Sequence, residues 1–401
     1  MSRILLAWEL GAASGHLAGL RPVVEMLLAR GHQVTLAAQN LRNAARVFSG
    51  LDFPIVQAPR TYELYGGLED PPLNYSEILM RYGYIDVLML TALLRAWRAL
   101  IQLTDADVLV ADHAPTALLA ARSFRNLRCI AFGNSFAVPP PVHPAPNMRH
   151  WLDVPQQRLR NSDALVLETI NQSLSSSETP LSAVHQLFDR ADHLFVGIPE
   201  LDPYGPRSVE CYLGLYVGVS GKAAANWPAG DGKRIFAYLR ADFSEIDYVL
   251  DALSACGARC LIHMAGTSQV LIERYQSDRL VFSNAPVDIV SASAQCDFAI
   301  CHSGTGTVNA LLQAGKPMLL LPAQLEQFLL ARNVEALGAA IVVLPEEVNS
   351  AFDGALNDIL ENPSFSGGAR ALADRYREQS MQVMLECAVA VIEGRAAGAA
   401  I

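Results

Sequence analysis

The chain has 401 residues, a formal net charge of −10, and 51% hydrophobic but only 7% aromatic residues. That length accommodates two or three domains with mainly aliphatic cores, and the acidic balance excludes a nucleic-acid binder, which needs a basic face. An anionic ligand stays compatible, because helix N-termini and single arginines hold phosphate inside an acidic protein.

Residues 4–8 form a short apolar run that soon meets Glu9 and a glycine-rich turn, so it reads as a buried first strand rather than a leader. The turn from Gly11 to His16 precedes a helical pattern over 17–30, which Gly31 ends, and 33–38 is the next strand. Residues 87–103 come closest to a membrane span, but Arg95 and Arg98 sit on them. The stretch reads as an amphipathic helix, with weak attachment to a membrane surface left open. A strand over 108–111 runs into Asp112, a helix over 114–124 follows, and 129–132 is another strand. Residues 139–146 hold too many prolines to pair inside a sheet and read as a stiff surface loop.

A Pro- and Gly-rich stretch begins at Glu200, and the spacing places a linker near 218–233. A second series then alternates: strand 234–239, helix 243–255, and strands 260–264, 280–282, 298–300, 316–321 and 340–343. A helix from about 370 to 392 and a frayed tail over 396–401 complete the chain. Such alternation predicts an α/β protein with two Rossmann-like, doubly wound parallel sheets. The expected partition is 1–217, a linker over 218–233, a second domain over 234–370, and a C-terminal helix over 371–401 that crosses back to the first domain. Ligands of such sheets lie at the strands' carboxyl ends, so the expected site is a cleft between the two domains. The seven cysteines are odd in number, scattered and without a CxxC pair, which predicts free thiols and neither a disulfide framework nor a zinc site.

Two places carry candidate chemistry. After the apolar residues 298–300 comes His302-Ser303-Gly304-Thr305-Gly306-Thr307, and a helical pattern follows at once. Small residues let a ligand approach the backbone, and the N–H groups of the next helix attract an anion. Taken alone, the loop means a phosphate seat or merely a tight βα turn. His16, between the first strand and the first helix, is either a general base or a loop histidine near a helix N-terminus. Asp112 is either its carboxylate partner or a helix N-cap, and the neighbouring His113 is expected to be exposed. Arg240 either meets a phosphate or pairs with Asp242. Glu326-Gln327 after Pro322 is a polar loop unless it binds a ligand. Asn134 and Phe136, residues 62–84 and the Pro-rich loop to Trp151 are the expected walls of a mainly hydrophobic acceptor pocket.

The spacing beyond the glycine loop resembles the donor-binding signature of the family 1 glycosyltransferases. His302, Gly304, Gly315, Pro317, Pro322, Glu326 and Gln327 fall at that family's distances without a gap, and Ala285-Pro286 matches upstream. Gly15-His16, Leu27 and Arg30-Gly31-His32 match near the N-terminus. The resemblance implies the GT-B fold, with His16 as catalytic base and Asp112 orienting it. It implies that His302 points at the donor diphosphate, that Ser303, Gly304, Thr305, Gly306 and Thr307 add N–H groups and hydroxyls, and that Pro286 and Val287 line the donor. Glu326 and Gln327 would bond the transferred sugar. The sequence departs from the family at Ala310, where a ribose-binding Glu is frequent, at Asn284 in place of a stacking Trp, and at Arg240-Ala241-Asp242 in place of Gly-Ser. The implied activity is inverting transfer of a hexose from a UDP- or TDP-sugar to a hydroxyl of a small acceptor, a natural product or lipid; the scattered free thiols read as cytoplasmic, and without a carboxylate cluster no metal or cofactor is expected. Two alternatives stay open: a nucleotide-sugar-binding protein without transfer, and a nucleotide-sugar epimerase on the same fold.

Overall fold

The computed structural model describes residues 1–11, 15–62, 64–207, 211–218 and 221–395. Ala12, Ala13 and Ser14 of the first turn and the expected tail over 396–401 lie outside the described residues. The chain divides into two compact units, Met1–Leu213 together with Gln382–Ile401, and Gly214–Met381.

The first unit is built on β1 (Arg3–Trp8), β2 (Gln33–Ala38), β3 (Ile55–Gln57), β4 (Val108–Asp112), β5 (Arg128–Gly133), β6 (Ala191–Phe195) and β7 (Cys211–Tyr212). They lie in the order β3-β2-β1-β4-β5-β6-β7, and the described pairings are all parallel. β1 and β4 are buried almost throughout, which explains their continuous apolar sequences. The strand order reverses direction between β1 and β4, the position where an open parallel sheet leaves a crevice at its carboxyl edge. Trp8 pairs with Asp112 in register there, so the ends of the two strands are level.

The helix Val87–Thr104 is started by Asp86, whose side chain accepts from the Met89 N–H, and is stopped by Asp105 in the left-handed region. By length and composition it could cross a membrane. Its stripe of Leu90, Leu93, Leu94, Trp97 and Ile101 is instead buried in the first unit, while Leu88 and Leu103 are exposed.

The second unit holds β8 (Arg234–Arg240), β9 (Arg259–Ala265), β10 (Leu280–Phe282), β11 (Phe298–Cys301), β12 (Met318–Leu320) and β13 (Ala340–Val342) in the order β10-β9-β8-β11-β12-β13. Its described pairings are also parallel. The reversal here falls between β8 and β11, so Arg240 and His302 arrive at one crevice.

Two expectations need correction. Part of the expected linker over 218–233 is docked on the second unit: the Ala223 N–H donates to Pro286 O at 3.1 Å and Asp288 N–H to Ala223 O at 2.9 Å. The expected single helix over 370–392 is two, Pro363–Arg375 and Met381–Ile392. The intervening Arg377-Glu378-Gln379-Ser380 offers no apolar stripe to hold a continuing helix. The last helix belongs to the first unit. Just beyond it, Glu393 accepts from Arg30 and from His32, each at 2.9 Å, and Arg128 donates to Ile392 O at 3.2 Å.

Candidate active site

His16 enters on the first turn of the helix Gly15–Ala29, directly after β1. Its Nδ1 lies 2.7 Å from Asp112 Oδ1. Asp112 is the last residue of β4 and is 2% exposed. A buried carboxylate only accepts, so the pair places the proton on Nδ1 and makes Nε2 the basic nitrogen. The N-cap alternative for Asp112 fails: the next helix is capped at Ala114, without a side-chain bond.

Two glycines shape the dyad. Gly133, which ends β5, has φ +110, and a Cβ there would lie 2.7 Å from Asp112 Oδ1. Gly11 has φ +92, and its Cβ would lie 2.6 Å from His16 Nε2. Each glycine thus combines a backbone shape that side chains resist with an approach that a methyl would block. The sequence places Gly11 in a turn and gives no such role to either glycine. Their position at strand ends flanking the two dyad residues was the available signal.

Beneath and beside the dyad runs an aromatic chain. Trp8 stacks on His16 at 5.9 Å between ring centres, and His113 follows at 6.2 Å. Tyr75 and Phe136 each lie 6.1 Å from the His113 ring. His113 was expected to be exposed, but it is buried, with φ +46. The hydrogen bond from Leu10 N–H to its carbonyl, 2.9 Å, pins it against the end of β1. Burial, with His16 nearby, pushes its ring down to about 3, so it is neutral at working pH. Phe136 is buried, while Asn134 turns its Oδ1 to the Phe136 N–H and caps the short turn there.

Glu9 is also buried at the end of β1. Its Oε2 accepts from the Thr116 N–H at 3.0 Å, and the Thr116 hydroxyl bonds Tyr84 at 2.9 Å. Burial raises its carboxyl to about 7, against smaller opposing effects of Thr116 and Ala117. Nothing in the sequence pattern distinguished this glutamate from a solvated loop residue.

In the second unit, His302 follows β11 and is 6% exposed. Nδ1 donates to Leu321 O at 2.7 Å and Nε2 accepts from the Arg240 N–H at 3.1 Å. Burial holds its pKa below the ordinary value. The expected role as a donor aimed at a diphosphate is therefore not what this geometry provides. Both nitrogens are taken by backbone groups, and the ring ties the end of β8 to the loops after β11 and β12.

Ser303 has φ +56 and a buried hydroxyl without a protein partner. Gly304 caps the nine-residue helix Thr305–Gln313 without a side-chain bond. A Cβ on Gly304 or Gly306 would meet nothing within 4 Å. Space is thus open beside both glycines at the helix's first turn, and the first N–H groups of a helix favour an anion. Thr305 and Gly306 are half-buried, and Thr307 is buried.

Arg240 takes the blander of its two readings, pairing with Asp242 through two bonds of 2.8 and 2.5 Å. Pro286 is exposed and Val287 buried, both alongside Ala223. Glu326 and Gln327 open the helix Leu325–Ala336, and Gln327 Oε1 accepts from the Ala323 N–H at 2.9 Å. Ala310 is buried, 3% exposed, and its neighbour Asn309 bonds Tyr216 O at 2.8 Å. No group of three or more metal-ligating side chains occurs among the described residues.

Comparison with known proteins agrees with this architecture. Residues 248–391 match the family model described as erythromycin biosynthesis protein CIII-like, C-terminal domain. The fold is that of a kitacinnamycin glycotransferase, with a TM-score of 0.68 and 18% identity over 98% of both chains. It is also that of the spinosyn rhamnosyltransferase SpnG, with a TM-score of 0.64 and 17% identity over 98% of this chain and all of the other. A PGL/p-HBAD biosynthesis glycosyltransferase of Mycobacterium tuberculosis is 25% identical over 200 residues, 48% of this chain and 46% of that protein. A sterol 3-beta-glucosyltransferase of Gibberella zeae is 35% identical over 100 residues, 25% of this chain and 7% of that one. The chain therefore spans less than half the length of these curated relatives. The two parallel-sheet units define a GT-B glycosyltransferase fold. Beyond the fold, the sequence is similar over part of its length to the named glycosyltransferases.

Proposed function

We propose that this protein is an inverting glycosyltransferase that moves a hexose from a nucleoside-diphosphate sugar to a hydroxyl of a small acceptor. The observation that carries the proposal is the His16–Asp112 pair, 2.7 Å apart at the sheet's switch point. As the acceptor oxygen attacks the anomeric carbon, its proton passes to His16 Nε2. The carbon's bond to the diphosphate oxygen breaks, and its electron pair leaves with the nucleotide. Asp112 stabilises the imidazolium that forms. A single displacement of this kind inverts the anomeric centre.

The departing diphosphate is met by the first N–H groups of the helix Thr305–Gln313, already oriented before the bond breaks. No metal is required in this reading, since the N–H groups and Arg240 face the developing charge. The Arg240–Asp242 pair is exposed and so holds weakly; a diphosphate competes well for the guanidinium. Two proteins of the same fold were solved with thymidine diphosphate, VinC and SpnG, which favours a thymidine over a uridine donor. Glu326 and Gln327 are proposed to bond the sugar's hydroxyls.

The test has two stages. Gly306→Asp places a carboxylate on the first helical turn, where it suits the helix dipole and its Cβ meets nothing within 4 Å. Calorimetry should show TDP binding weakened at least ~100-fold with no loss of melting temperature; undiminished binding sinks the donor assignment. TDP- and UDP-hexoses are then screened against hydroxylated acceptors by mass spectrometry. Transfer that survives His16→Ala would remove the base assignment.

A further inference from the structure

The aromatic chain beside the dyad has an unusual set of unmet polar atoms. Neither ring nitrogen of His113 has a hydrogen-bond partner within the protein, and the same holds for Tyr75 Oη and Trp8 Nε1. All three side chains are more than nine-tenths buried. Buried polar atoms are ordinarily paired, and orphans concentrate where a ligand completes the set. Here they are not scattered, since Trp8, His16, His113 and Tyr75 form one run of neighbouring rings. His113 is in the left-handed region, uncommon for a residue other than glycine although histidine is among the side chains that tolerate it, and such residues gather at functional sites.

We propose that His113, with Tyr75, forms a polar floor to the acceptor pocket that binds a second oxygen of the acceptor next to the hydroxyl undergoing transfer. The ring centres of His16 and His113 are 6.2 Å apart. Oxygens on neighbouring carbons are spaced to let one reach each imidazole at an ordinary hydrogen-bond length of about 2.8 Å. A neutral imidazole both donates and accepts, so it takes a hydroxyl as well as a carbonyl. Trp8, Tyr75 and Phe136 around it favour a flat ring. The acceptor class is therefore a planar compound with two adjacent oxygens, such as an aromatic vicinal diol, rather than a uniformly apolar one. This deepens the glycosyltransferase reading and depends on it for the purpose of the pocket, but binding alone tests it.

The probes are catechol and phenol, which differ by one oxygen. Binding of each to the full chain, without donor, is measured by ligand-observed NMR titration. Wild type should bind catechol at least ten-fold more tightly than phenol. His113→Phe should lose that preference while keeping phenol affinity, with a melting temperature unchanged or higher, because it removes two unmet polar atoms. His113→Asn, which tolerates the left-handed backbone and keeps a donor and an acceptor, should retain part of it. Equal affinities in wild type, no saturable binding of either probe, or a preference that persists in His113→Phe would each overturn the proposal. The wild-type comparison decides even if a variant fails to fold. If catechol binds as expected but no sugar is transferred from any donor, the floor stands and the glycosyltransferase reading falls.

Discussion

Gly133→Ala tests the logic of the dyad from a residue that touches no substrate. The new methyl would sit 2.7 Å from Asp112 Oδ1, on a backbone with φ +110. Ordinary contact is roughly a full ångström longer, so the carboxylate must retreat from the position that gives its 2.7 Å bond to His16. Holding a non-glycine residue at such a φ costs about 1–3 kcal/mol, and the overlap adds about 1–2 kcal/mol after relaxation. A total of about 2–5 kcal/mol lowers the melting temperature of a unit this size by roughly 4–20 °C. The kinetic effect should be larger than the stability loss suggests. A base whose carboxylate is out of place loses its tautomer and its support, a defect of about 10²–10⁴ in kcat. Turnover with saturating donor and acceptor, together with TDP affinity, separates this from general damage: kcat should fall at least ~100-fold with donor affinity unchanged. A double-mutant cycle sharpens the claim. With Asp112→Ala the methyl has nothing to strike, so Gly133→Ala should then change kcat by less than about three-fold. Multiplicative effects in the cycle, or full kcat in the single variant, would refute the reasoning.

Other consequences are equally direct. His16→Ala should cost several orders of magnitude in kcat and leave TDP affinity intact, because its proton transfer belongs to the first unit alone; steady-state kinetics and calorimetry check both halves. Glu9 is raised from 4.5 to about 7 in the folded protein, so the folded state holds its proton longer than the unfolded chain. Its effect on stability is absent below pH ~4.5, grows more unfavourable as pH rises, and levels off above pH ~7. Chemical denaturation should show Glu9→Gln gaining about 3 kcal/mol over wild type between pH 4.5 and 8, and parallel curves would contradict the burial argument. His113 works in the opposite sense, being lowered from 6.5 to about 3. Wild type loses stability as pH falls below 6.5, by about 2 kcal/mol at pH 5, and His113→Phe should abolish that loss in the same denaturation series.

The scaffold was largely legible because parallel strands buried on both faces write themselves as unbroken apolar runs. β2 and β10 coincide with their expected ranges, and β1, β4, β8 and β9 differ by a residue or two at their ends. β3, β6 and β7 escaped for the converse reason. β3 and β7 have three and two residues, and β6 reads Ala191-Asp192-His193-Leu194-Phe195, whose charge hides it. Their place in the sheet comes from tertiary pairing rather than local pattern. The break between the last two helices was hidden similarly, because helical spacing persists on both sides of a polar step.

The site divides along the same physical line. His16 and Asp112 could be named because each stands at the end of a recognisable strand, and strand order brings those ends together whatever lies between them. His302 was expected to face a diphosphate, whereas its two nitrogens meet backbone groups of Arg240 and Leu321. Its sequence position fixes the loop, yet which atoms meet its two nitrogens depends on how Arg240 and Leu321 arrive from other strands. Glu9 and His113 were harder still. A glutamate after a strand and a second histidine beside an aspartate resemble solvated loop residues until the sheet closes over them. Burial then turns both into groups whose charge states differ from those in water, one tending toward the acid form and the other held neutral. Such groups are costly to keep and contribute little to folding. Glu9 is met by the Thr116 N–H, whereas both ring nitrogens of His113 are left unmet by the protein; on the proposed reading a binding pocket explains that cost, and the acceptor completes them.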